Sequence, residues 1–193
     1  MTIINTAEGY GAIAKWLHWA TAILFLASYF SIYYRHWFTE VKSFESMIAF
    51  QLHLSVGVTI AVIVVLRIVW RITNQIPDPE PGTFLERTAA QLEHYALYAV
   101  MIILPVTGYL GTAVNTNYFF MFEIPKFADT QLFRFVTDGL SISFKEFKMP
   151  IDFIHKNILG EWAAWFLILD HVLVALSYQF VKKGRTMFKM TTS

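Results

Sequence analysis

Residues Met47–Leu66 read MIAFQLHLSVGVTIAVIVVL, a run with no Asp, Glu, Lys or Arg and a single histidine. Its length matches the roughly 20 residues a helix needs to cross about 30 Å of hydrocarbon. The run ends in Arg67-Ile-Val-Trp-Arg71, a basic flank with an interfacial tryptophan, as where a helix leaves a bilayer. Three other stretches repeat the pattern. Leu17–Tyr34 is uncharged when His18 is neutral, and Tyr95–Phe122 leaves the apolar region near Asn115 and Asn117. Trp162–Val181 is interrupted only by Asp170 and His171. The expectation is a single all-α membrane domain over 1–193, a four-transmembrane-helix bundle with spans at about 11–34, 47–71, 84–114 and 157–181.

Composition supports that class. The chain is 56% hydrophobic and 15% charged, where globular domains carry about 25% charged residues. The absence of cysteine excludes disulfides, thiolate-held iron–sulfur clusters and c-type haem attachment. A net charge of +1 without a basic stripe excludes nucleic acid as a partner. Met1–Tyr10 has no basic n-region, so no cleaved signal peptide is expected.

Ile76-Pro-Asp-Pro-Glu-Pro-Gly82 cannot continue a helix and reads as a stiff linker. Pro105 and Gly108 predict a kink in the third helix. The connection 115–154 is long but rich in Phe and Tyr, so it is expected to pack over the outer mouth, partly as an interfacial helix. Lys15, Arg67, Arg71, Arg87, Lys182, Lys183, Arg185 and Lys189 hug one side of the membrane, which favours both termini in the cytoplasm.

Five histidines fall in or beside the spans. Intramembrane ionisable groups are rare and mark function, and several histidines over several spans point to axial ligands of haem iron. At 1.5 Å per residue, His18, His94 and His171 share one level toward the cytoplasmic side. His53 and His155 share the opposite level. Two tiers would hold two haems stacked across the membrane. Ala14, Ala22 and Gly57, four residues from His18 or His53, leave room for a porphyrin face and serve helix packing equally well.

Lys15-Trp-Leu-His18-Trp19, Leu52-His53-Leu-Ser-Val-Gly57, Leu66-Arg67-Ile-Val-Trp-Arg71, Glu93-His94-Tyr-Ala-Leu-Tyr98, Pro105-Val-Thr-Gly108-Tyr109 and His171-Val-Leu-Val-Ala-Leu176 follow one another along the chain. In these motifs the sequence resembles the bacterial cytochrome b561 family. The resemblance implies a multi-pass protein of the bacterial inner membrane with two b-type haems (heme b), exchanging electrons with ubiquinone. One branch of the family moves an electron from periplasmic superoxide to ubiquinone. By position, the resemblance implies His18 with His171 for the cytoplasmic-side haem and His53 with His155 for the periplasmic-side haem. His94 is an alternative partner of His18 or a residue beside it. Arg67 and Arg71 are suited to haem propionates or a quinone head group, and equally to anchoring at the interface.

The sequence departs from the family at two positions. The family separates its fourth-helix histidines by 14 residues, whereas His155 and His171 are 16 apart, about 160° around a regular helix. Either the helix starts after His155, or a π-bulge absorbs the surplus, or the outer haem has another ligand. Tyr178 stands where the family often has a histidine near its quinone site; a phenol hydrogen-bonds a carbonyl but carries protons poorly near neutral pH.

The expected activity is transmembrane electron transfer from a small periplasmic donor to ubiquinone within membrane lipid. Lys126, Arg134, Lys145, Lys148 and Lys156 could draw in an anion, opposed by Glu123, Asp129, Asp138, Glu146 and Asp152. A second reading is a haem b anchor subunit relaying electrons for a soluble oxidoreductase partner. A third is a haem-free proton or metal pathway.

Overall fold

The computed structural model describes residues 2–79, 81–184 and 186–191; Arg185 and the Asp138 side chain lie outside the described residues. Helix α1 spans Ala12–Phe38, α2 Phe44–Thr73 and α3 Phe84–Gly111. A hairpin follows, β1 Thr116–Tyr118 paired antiparallel with β2 Phe122–Ile124. A 3-10 turn, α4 (Gln131–Leu140) and α5 (Phe144–Phe153) lead into a π-helix, Ile154–Ala163, then α6 (Ala164–Phe180) and a short α7 (Thr186–Thr191).

The helix starts follow capping chemistry. Ser43 accepts from Ser46 N at the head of α2, with Glu45 in the first turn. Thr83 and Glu86 close a capping box on α3 immediately after the proline linker, and Ser143 and Glu146 close another on α5. That second box corrects the sequence reading of the fourth helix. The helix does not begin near 157; it runs unbroken over 144–180, taking residues 144–154 from the expected connection.

Among the described residues three helical runs are long and apolar enough to cross a membrane: Phe44–Thr73, Phe84–Gly111 and Phe144–Phe180. Helix α1 falls outside that set on composition, not on length. Its 27 residues reach about 40 Å, but Lys15, Arg35, two histidines, three tryptophans and three tyrosines dilute its apolar character. It nonetheless packs lengthwise on α2, and Tyr29 ties it to the fourth helix by donating to Gly160 O at 2.7 Å.

The core is small and central. Phe25 of α1, Val56, Ile60 and Val64 of α2, Val100, Met101 and Leu104 of α3, and Ala164 meet there. The α2 positions recur every four residues, one face of a helix. Outward positions such as Leu26, Phe30, Val62, Val65 and Leu173 are exposed, as a lipid-facing surface requires. Beyond α3, Phe127 and Phe133 are buried among the rings of Tyr109, Phe144 and Phe147, so the aromatic connection is ordered as expected.

At the opposite end the termini are tied across the helix ends. Ala12 N donates to Thr2 O, Asn5 Nδ2 to Gln75 O, and Asp78 N to Ala7 O. Trp19 Nε1 donates to Met190 O of α7.

Candidate haem sites

The His155–His171 problem is resolved by the π-helix. An i→i+5 bond takes one more residue per turn than an α bond, so Ile154–Ala163 turns less per residue and absorbs the surplus. Both histidines thereby reach the bundle interior. His155 faces His53 with ring centroids 6.3 Å apart, and His171 faces His18 at 6.2 Å.

The His53–His155 pair is held from behind. His53 Nδ1 lies 3.1 Å from Ser28 O and 3.0 Å from Ser28 Oγ. His155 Nδ1 lies 3.0 Å from Leu104 O and 3.2 Å from Thr107 Oγ1. A carbonyl only accepts, so each Nδ1–H donates and the lone pair is left on Nε2, the arrangement found in metal-binding histidines. Two imidazoles sharing one metal at about 2 Å each place their centroids about 6 Å apart, which is the observed separation. Gly108 permits it: a Cβ there would lie 2.9 Å from His155 Cε1.

At the other level His171 is central, 6.2 Å from His18 and 5.7 Å from His94. His171 Nδ1 donates to Glu93 Oε1 at 3.1 Å, which again leaves Nε2 with the lone pair. His18 differs. Arg67 Nη2 donates to its Nδ1 at 2.9 Å, so a neutral His18 carries its proton on Nε2. His18 fits an axial role through Nε2 only when Arg67 turns away.

Arg67 and Arg71 both lie over the Tyr98 ring, at 5.4 and 5.2 Å. With Tyr10, Trp70, His18 and His94 they line a cavity of about 60 Å³. Tyr178 does not join them. Its hydroxyl approaches Gly82, Lys182 lies over its ring, and it lines a separate hollow with Asp78, Lys182 and Lys183. The expected grouping of Arg67, Arg71 and Tyr178 therefore splits into two places, because Tyr178 turns toward the proline linker.

The sequence reading gave Glu93 no role. Its signal was a carboxylate one residue before a membrane histidine, in a helix otherwise apolar at that depth. Ser28, Thr107 and the Leu104 carbonyl carried no comparable signal.

Membrane-length helices bearing facing imidazoles, with Nδ1 anchored, define a membrane redox protein of the b-cytochrome class. A family model described as prokaryotic cytochrome b561 matches residues 9–193, and the chain belongs to that family. It is 26% identical to "Cytochrome b561 homolog 2" of Escherichia coli, over 98% of this chain and 95% of that protein. It is 27% identical to "Cytochrome b561 homolog 1" of the same organism, over 91% of this chain and 92% of that one. Membership makes this a bacterial membrane protein of haem b electron transport.

Proposed function

We propose that α1, α2, α3 and the 144–180 helix form a four-span bundle that holds two b haems and passes electrons across the membrane. His53 and His155 hold the outer haem; His171 and His18 hold the inner one, with His94 beside them. The haems, when bound, each supply an iron that takes up and gives back one electron. The observation that carries the reading is the His53–His155 pair at 6.3 Å with both Nδ1 groups on backbone carbonyls.

The chain's own residues do the rest. Ser28 O and Leu104 O orient the outer rings, and Glu93 makes His171 a more electron-rich ligand. Arg67 sits between two roles: it bonds His18, and it lies where a propionate or quinone carbonyl would meet a guanidinium. Arg71 and Trp70, whose Nε1 is buried without a partner, supply two further donors on that side. The acceptor in this reading is ubiquinone at the inner level. The donor is a small one-electron reductant, superoxide first among them, arriving under a cover formed by residues 112–143, which connect α3 to α5. Both termini are then cytoplasmic.

The test is a dithionite-reduced minus oxidised spectrum of purified protein, with superoxide-driven ubiquinone reduction in the same sample. A b-type band lost by half in His53→Ala supports the reading, and no such band overturns it. An intact band without superoxide activity, together with copurification of a soluble dehydrogenase, shifts the function to an anchor subunit.

A further inference from the structure

The chain does not simply leave the bundle where α3 ends. Strand β1 turns back along α2 and is bonded to a stripe of α2 side chains spaced four residues apart. Gln51 Nε2 donates to Asn115 O at 3.1 Å, and Asn117 N donates to Gln51 Oε1 at 2.8 Å. Ser55 Oγ accepts from Phe119 N at 2.9 Å, while its own proton goes mainly to Gln51 O at 2.7 Å and only glances at Asn117 O, 3.3 Å away. The Thr59 and Tyr118 hydroxyls pair at 3.1 Å. Ser55 lies ten residues from Glu45 and twelve from Arg67, the charges that bound this apolar run. At 1.5 Å per residue it is about 15 Å from one and 18 Å from the other.

That depth has a requirement. A strand edge open to hydrocarbon leaves backbone groups without partners, so such edges do not occur there unless covered. On β1 the edge turned toward α2 is satisfied at Asn115 O and Asn117 N by Gln51 and at Phe119 N by Ser55, while Asn117 O accepts chiefly from Phe120 N. The turn satisfies itself through Phe120 N to Asn117 O and Met121 N to Tyr118 O. Opposite Asn117 in the ladder, the Glu123 carboxylate accepts from Asn115 at the hairpin base, so it too has a partner within the hairpin. The tip lies two residues further, about 7 Å deeper.

The tip is Phe119-Phe120-Met121-Phe122, apolar throughout and turned away from the protein. Phe119 is 36% exposed, Phe120 52%, Phe122 55% and Met121 69%. Phe119 and Phe120 hold φ of 44° and 62°, a region bulky side chains avoid. The backbone accepts that conformation while presenting four apolar side chains outward. We propose that the β1–β2 hairpin is a re-entrant lipid-binding element, its tip lying among the acyl chains of the leaflet on the face of the 112–143 cover. The inference is independent of the haem reading.

The protein has no cysteine, so a single introduced thiol reports its position without background. Met121→Cys and, as a control on the same face, Val41→Cys (Val41 is 90% exposed) are reconstituted as full-length protein in phosphatidylcholine vesicles. They are then treated with a membrane-impermeant maleimide. The expected result is labelling of Met121→Cys at least tenfold slower than Val41→Cys. A companion variant, Met121→Trp, is reconstituted with acyl-brominated phosphatidylcholine. Its fluorescence above the wild-type background is expected to fall at least twofold, with little quenching by acrylamide. Equal labelling rates, or quenching by acrylamide rather than bromolipid, overturn the proposal. Slow labelling without bromolipid quenching overturns it too, because the tip is then covered by protein.

Discussion

A histidine used as a ligand is defined by what stands behind it, and here the two levels differ in that respect. Both outer rings donate Nδ1–H to main-chain carbonyls, fixed dipoles without charge. His171 donates to Glu93, a carboxylate only 9% exposed. A carboxylate behind an imidazole raises ligand basicity and favours the oxidised metal. In the proposed two-haem arrangement, Glu93→Gln should therefore raise the midpoint potential of the haem held by His171 by on the order of tens of mV, leaving the other unchanged. Potentiometric titration of the two b-type transitions checks this, and equal shifts in both would remove the argument for Glu93. Gly108→Ala addresses the outer level. Its Cβ would arrive 2.9 Å from His155 Cε1, an overpacking that costs about 1–3 kcal/mol. The expected outcome is a lower melting temperature and selective loss of the outer haem band. Of these residues the sequence displayed the histidines and Gly108 openly. It concealed the Glu93–His171 and Arg67–His18 bonds, which join positions 78 and 49 residues apart.

At the scale of elements, the hydropathy of α2 and α3 and the proline linker were readable because each is decided by its own residues. The start of the fourth helix was readable in principle, through Ser143 and Glu146. It was missed because Pro150 and the polar residues around it look like loop. The π-helix was foreseeable only as an arithmetic need, the 16-residue interval; its extent is set by packing against α3. The hairpin was invisible, since Gln51, Ser55 and Thr59 on a distant helix hold it in place. The π-helix carries its own prediction. Removing Asn157 and Ile158, both exposed, restores an interval of 14, which on a regular α-helix keeps the histidines within about 40° of one face. The shortened variant should keep both haem transitions while losing the π-helical run. Loss of the outer transition would show that the π-helix does more than set the angle.

For the whole molecule, membrane class and the two histidine levels followed from composition and depth alone. The electrostatics of the outer face did not. By count, five cations in the connection suggest a funnel for an anion, but pairing dismantles most of it. Lys126 sits 3.6 Å from Asp129, and Lys148 and Lys156 both bind Asp152. The Lys126–Asp129 pair looks neutral beyond a few ångströms and the Lys148–Asp152–Lys156 cluster keeps a net charge of only +1, so long-range steering of an anionic donor should be weak. Raising ionic strength from about 0.01 to 0.15 M shortens the screening length from about 30 to about 8 Å. A steered reaction falls steeply over that range. With superoxide as the proposed donor, the second-order rate of haem reduction, measured by pulse radiolysis, should here fall less than about threefold. Asp152→Asn releases both lysines, and in that variant the rate at low salt should rise and its salt dependence steepen. A steep dependence already present in the unaltered protein would mean that Arg134 and Lys145 form the funnel on their own.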